Sequence, residues 1–82
     1  MKEKITELIG DSLSPLNLRV DDVIYEKVDG QNTLNIVLDS DEIIDLNKVV
    51  EATKIINPII DESNIINEQY ILDVYGKAKG DD

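Results

Sequence analysis

The densest set of oxygen ligands in the chain is Asp39-Ser40-Asp41-Glu42-Ile43-Ile44-Asp45. Asp39 and Asp41 have the spacing that opens an EF-hand calcium loop, but the sharp-turn glycine is missing and Val50 stands where the bidentate glutamate would close it. The stretch reads instead as a solvated strand-to-helix loop in which Asp45 caps the following helix. Nucleophilic chemistry fares no better. Ser12, Ser14, Ser40 and Ser63 have no histidine to activate them, because the chain contains neither histidine nor cysteine. The commonest acid–base group, the thiol nucleophile and the usual zinc ligands are thus excluded. Two carboxylates suffice for glycosidase-type chemistry, yet no pair is marked as buried, and a domain this small spares little wall for a cleft. No glycine-rich phosphate loop is present. The sequence predicts no catalysis, no cofactor and no metal site.

Charge narrows the partners. Eighteen acidic against eight basic residues leave a net charge of −10. Nucleic-acid binding draws on cations set against phosphates; here Lys27, Lys48, Lys54 and the others are scattered, most with acids nearby. Direct nucleic-acid binding is not expected. An acidic surface suits basic protein partners, and it equally keeps a protein soluble. No apolar run approaches a membrane span, and Met1-Lys2-Glu3-Lys4 leads into a charged amphipathic pattern unlike a signal peptide. A cysteine-free chain of this kind fits the cytoplasm.

The elements that must position any surface are easily outlined. Eighty-two residues make one domain, just above the size at which a single core becomes unreliable. Ile5, Leu8, Ile9, Leu13 and Leu16 recur at helical spacing, opposite Glu3, Glu7 and Asp11. Gly10 weakens this helix by ~1 kcal/mol relative to alanine. Pro15 should tighten its last turn, and Asn17 suits a left-handed terminating conformation. From Leu18 to Val28 the pattern is strand-like, and Asp29-Gly30 predicts a hairpin turn into a second strand carrying Leu34, Ile36 and Leu38 on one face. A second helix follows Asp45, with Leu46, Val49, Val50, Thr53 and Ile56 as its buried stripe. Pro58 predicts a kink or an end near Asn57, with Ile59 and Ile60 continuing the core in a bent extension. A polar loop from Asp61 to Asn64 leads through Ile65 and Ile66 to a last strand at Tyr70–Tyr75.

The order helix, strand, strand, helix, strand predicts an α+β fold: a two-layer sandwich with a small three-stranded antiparallel sheet and both helices on one face. The first strand, being longest, is placed at the centre. Residues 1–75 are expected to form the domain and 76–82 a polar flexible tail. One type of KH domain shares this order, but no GxxG clamp with basic neighbours occurs.

The stretch from "LNLRVDDVIYEKVDG" to "NEQYILDV" resembles the N-terminal domain of the bacterial ribosome maturation factor family RimP. Leu18, Asp22, Val23 and Tyr25 match the family's first-strand pattern, and Leu34, Ile36, Leu38 and Asp39 match its returning strand. Ile44 and Leu46 match the entry to the second helix. Ile60, Asp61, Asn64, Ile66, Tyr70, Leu72, Asp73 and Val74 match the segments that close the domain. The resemblance covers about Leu8 to Val74. It departs at Asn17, where the family has glycine, and after the last strand. There the family has an S-S-P-G turn into a second, β-rich domain, whereas this sequence has Tyr75-Gly76-Lys77-Ala78. The N-terminal fold is therefore expected whole, with the second domain absent through truncation or in a standalone relative.

The resemblance implies a non-enzymatic factor that assists maturation of the small ribosomal subunit through contacts with its components, a basic ribosomal protein among them. The alternative is a diverged acidic interaction module, self-associating or bound to an unrelated protein. If the helices cover the face bearing Leu34, Ile36, Leu38, Leu72 and Val74, pleating turns Ile24, Val37, Ile71 and Tyr75 to the other face. These are the expected partner-binding residues, with the acidic surface of Asp39, Asp41 and Glu42 as the second candidate. An apolar set of this kind is also what an ordinary half-apolar sheet face would show.

Overall fold

The structure is a computed structural model and describes residues 2–77. Helix α1 spans Lys2–Leu13, and its buried face is Ile5, Ile9 and Leu13, each four residues from the next. Leu8, expected in the core, lies outside that stripe and is exposed. A 3₁₀ turn, Ser14–Leu16, follows with Pro15 in its first positions, where a missing N–H costs nothing. Asn17 then takes a left-handed conformation at φ 62°. Its N–H donates to the Ser14 carbonyl at 2.9 Å, and the Leu18 N–H reaches back to the Leu13 carbonyl at 3.3 Å. Those two bonds satisfy carbonyls that the helix end leaves open, as in a Schellman motif.

Strands β1 (Arg19–Val28) and β2 (Gln31–Asp39) pair antiparallel, with Val28 opposite Gln31. Only Asp29 (φ 53°) and Gly30 (φ 78°) are left to turn the chain. Two positive φ values in succession are what a type I′ hairpin requires, and Asp-Gly supplies them cheaply. The register slips between Val20 and Asp22, leaving Asp21 as the extra residue of a bulge.

Helix α2 runs Leu46–Ser63, capped by Asp45, whose carboxylate accepts from the Lys48 N–H at 2.9 Å. Of the kink or end expected near Asn57, the end does not occur: α2 continues through Pro58, and Asp61 to Ser63 are helical where a loop was expected. Ala52, Ile56 and Ile60 straddle the proline on one buried stripe, while Pro58 itself faces solvent. Burial on both sides of Pro58 holds the helix through the missing hydrogen bond. Asn64, at φ 55°, ends it. The stripe is also rotated from the expected one. Leu46 is 76% exposed and Val50 is exposed too, while Ala52, too small to stand out in the sequence, is buried.

The last strand, β3 (Ile71–Gly76), pairs with β2 in parallel, and the sheet order is β1-β2-β3. The sheet is therefore mixed rather than antiparallel, and β1 lies at an edge rather than the centre. The two corrections have separate causes, one for direction and one for position. A helix between β2 and β3 returns the chain to the end from which β2 started, so β3 must run alongside β2 in the same direction. Centrality followed burial rather than length: Leu34, Asn35, Ile36 and Leu38 of β2 are all buried, and no residue of the longer β1 is.

One core joins these layers. Ile5, Ile9 and Leu13 from α1, and Ala52, Ile56 and Ile60 from α2, pack on Leu34, Ile36, Leu38 and Val74, with Leu18 at the edge. Both helices thus cover the same sheet face. Leu16, Val23, Tyr25, Val49 and Leu72 are half-buried against this cluster. Of the tail expected over 76–82, Gly76 closes β3, the Lys77 N–H bonds the Leu38 carbonyl at 2.6 Å, and residues 78–82 lie outside the described residues.

Candidate docking surfaces

Strand alternation and register determine what the uncovered sheet face presents. Across it run three rows: Glu26, Thr33 and Ile71; then Ile24, Asn35 and Asp73; then Asp22, Val37 and Tyr75. All four expected apolar residues, Ile24, Val37, Ile71 and Tyr75, share this face. Only Val37 and Tyr75 are direct neighbours. Ile71 sits at one corner and Ile24 at the middle of the β1 edge, separated by Thr33 and Asn35, so polar and acidic side chains are interspersed among the apolar ones. Asn35 is only 8% exposed, and its amide donates to the Ile24 carbonyl at 3.3 Å. A polar side chain thus lies flat at the centre of the face, its donor turned inward to the backbone of β1. Ile71 remains 47% exposed.

The acidic surface adjoins the end of this face. Arg19, opposite Asp39 in the register, reaches both Asp39 and Asp41 at 3.3 Å. Glu42 accepts from the Asn17 amide at 3.0 Å and pairs with the Lys48 ammonium at 3.7 Å. Lys48 also donates to the Leu16 carbonyl at 2.9 Å. Buried Ser40 joins the same knot: its N–H donates to Asp39, and its hydroxyl accepts from the Glu42 N–H. The structure therefore brings Asp39, Asp41 and Glu42 together, with basic side chains beside each, and their contacts tie the β2–α2 loop to the end of α1. Among the described residues, no group of three or more His, Cys, Asp or Glu side chains is placed to hold a metal ion.

Cations are similarly engaged elsewhere. Lys2 lies 3.8 Å from Asp22, and Lys77 lies 3.4 Å from Asp21 at the bulge. Among the described residues, no continuous basic track runs across the uncovered face.

Two surfaces went unread in the sequence. Ile43, in the loop before α2, is 84% exposed, and Leu46 and Val50, one turn apart on α2, are exposed too, so the entry to the helix carries apolar side chains turned to solvent. The periodicity that placed Leu46 and Val50 in the core was genuine, but it belongs to a second stripe. The other surface is an open groove of about 1230 Å³ between the hairpin turn, the outer side of α2 and the loop leading to β3. Asn57, Asp61, Asn67, Glu68 and Tyr70 are among its lining residues. The Tyr70 hydroxyl donates to Asp61 at 2.9 Å. Burial first, then that hydrogen bond and the adjacent negative charge, push the Tyr70 pKa up to about 12. The sequence signal for the groove is the clustering of side-chain amides from Asn57 to Gln69, of which the expected polar loop covers only Asp61 to Asn64.

No helix among the described residues is long and apolar enough to cross a membrane. The second half of α1, the Asn17 turn, the hairpin, α2 and most of the parallel closing strand lie within the segment whose sequence resembles a known domain. Residues 8–75 match the family model described as the RimP N-terminal domain. With the greater part of its length inside that match, the chain belongs to the RimP N-terminal domain family, a family of ribosome maturation factor domains.

Proposed function

We propose that this chain acts as a non-enzymatic ribosome maturation factor, assisting assembly of the small ribosomal subunit in the cytoplasm through protein contacts. Its direct partner in this reading is a basic ribosomal protein, and it needs no cofactor. The family match over residues 8–75 carries the proposal. The net charge of −10 supports it, since a strongly acidic surface steers toward basic proteins. The contact is assigned to the open sheet face, where Ile24, Val37, Ile71 and Tyr75 offer apolar surface between Asp22 and Asp73. Direct RNA binding is not part of the reading, because the chain's few cations are dispersed and several are already paired.

Co-sedimentation with small subunits at moderate salt tests the proposal. The parent chain should pellet with the particles, and a Val37→Lys/Ile71→Lys variant should not, while keeping its helical circular dichroism. A double variant that pellets like the parent would move the contact to the Asp39, Asp41 and Glu42 surface. Submicromolar affinity for a ribosomal RNA fragment at physiological salt would overturn the protein-only reading.

A second reading is an interaction module that self-associates or binds an unrelated protein. The observation favouring it is the exposure of the apolar side chains of Ile43, Leu46 and Val50, which the ribosomal reading leaves unused. Failure to co-sediment, combined with a concentration-dependent increase in sedimentation coefficient, would select it.

A further inference from the structure

The groove at the hairpin end of the molecule has a chemistry unlike the rest of the surface. Thr53, Asn57 and Asp61 line it from one side of α2, a turn apart from each other. Asn32, at the start of β2, fastens the facing loop: its amide donates to Glu68 at 2.9 Å and to the Gln69 carbonyl at 3.1 Å. Tyr70 anchors that loop to α2 through Asp61. The walls are thus braced by hydrogen bonds running between separate elements. Gln31, Asn57, Asn64 and Asn67 are exposed, and their side-chain amides bond no other described residue, so their donors and acceptors face the open groove. Three carboxylates, Asp29, Asp61 and Glu68, share the lining, and among the described residues no lysine or arginine does.

Each free amide offers both a donor and an acceptor. That combination matches the alternating N–H and C=O groups of an extended polypeptide. Carboxylates without local cations match guanidinium or ammonium side chains. A nucleic acid would bring phosphates against three negative charges with no counter-charge to receive them. We infer that this groove binds an extended polypeptide segment bearing arginine or lysine, its backbone held by the free amides and its cations by Asp29, Asp61 and Glu68.

This site is separate from the open sheet face and stands apart from the ribosomal reading. The probe is a short, end-capped peptide of alternating arginine and glycine, titrated into the nitrogen-labelled chain and followed by amide NMR shifts. The side-chain amides of Gln31, Asn57, Asn64 and Asn67 should move together with one dissociation constant. An Asp61→Asn/Glu68→Gln variant keeps the shapes and acceptors but removes two charges, and it should weaken binding about three- to tenfold at low salt. A Glu3→Gln/Glu7→Gln variant removes the same charge from α1 and should change it by less than about twofold. Equal weakening in both variants would reduce the effect to overall charge and overturn the assignment. So would shifts confined to other surfaces, or equal affinity for a single-stranded RNA of similar length. Peptide binding in the groove without co-sedimentation would sink the ribosomal reading alone. Co-sedimentation without groove binding would sink this one alone.

Discussion

Ile36 is the residue whose loss should be felt most directly. It is fully buried on the middle strand, with Val23 beside it on β1 and Val74 beside it on β3. Ile36→Ala removes three carbons from a site closed by the helices above and by neighbouring strands on both sides. At ~0.8 kcal/mol for each buried carbon, the transfer loss is about 2.4 kcal/mol. The pinned middle strand cannot move in to refill the space, so a residual cavity adds on the order of 1 kcal/mol. The expected total is about 3–4 kcal/mol, set against the roughly 4–12 kcal/mol typical of a domain this size. Urea denaturation followed by circular dichroism should show a lower midpoint with an unchanged slope. Thermal unfolding should drop by about 4–8 °C for each kcal/mol lost. Val28→Ala, at the exposed end of β1, is the internal control and should stay within about 0.5 kcal/mol of the parent. An unmoved midpoint for Ile36→Ala, or equal effects for the two variants, would refute the placement of β2 at the centre of the core.

Three further outcomes are expected. Asn17→Gly should be neutral or mildly stabilising, whereas Asn17→Val should be clearly destabilising in the same assay, because φ 62° penalises a β-branched side chain. The Tyr25 hydroxyl is buried and has no hydrogen-bond partner among the described residues. Tyr25→Phe should therefore hold or raise stability, by up to ~1 kcal/mol, and a loss larger than that would mean the hydroxyl is bonded. Tyr70, held up to about 12, is favoured in its neutral form by the fold. The stability linked to it is complete below pH 10 and is lost as pH rises through about 12. Phenol absorbance should report that late titration, and Asp61→Asn should bring it lower.

What could be read from the sequence was mostly what local chemistry decides. Asn17, Asp29-Gly30 and Asp45 each act within a few residues of themselves, and each does what its side chain and backbone preference dictate. Ile24, Val37, Ile71 and Tyr75 share a face because strand alternation admits no other arrangement. The errors arose where distant partners decide. Pro58 is a helix breaker on local grounds, but Ile56 and Ile60 are buried on either side and outweigh it. Leu46 and Val50 carry a helical period that says nothing about which side meets the sheet. Whether β3 lies parallel to β2 depends on where a helix deposits the chain, which no residue in β3 encodes. The groove was unreadable for a related reason: Asn32 and Asn57 become neighbours only once the hairpin and α2 are folded together.

The parallel pairing of β3 also orders events in time. The hairpin of β1 and β2 closes through a two-residue turn and can form on a microsecond scale without help. β3 cannot pair until α2 has formed and docked, because Leu34 and Leu72 meet only across its whole length. Strand β3 is thus expected to assemble last and to open first. Its departure would take along the loop that Asn32 and Asp61 hold, while the hairpin kept its register. Native-state hydrogen exchange should then resolve two cooperative units, with the amides of residues 65–76 opening below the free energy of the whole molecule. A binding surface built across that seam would be made and unmade with the strand, so occupancy of the groove should slow exchange in β3 as well as at the hairpin turn that lines its other side.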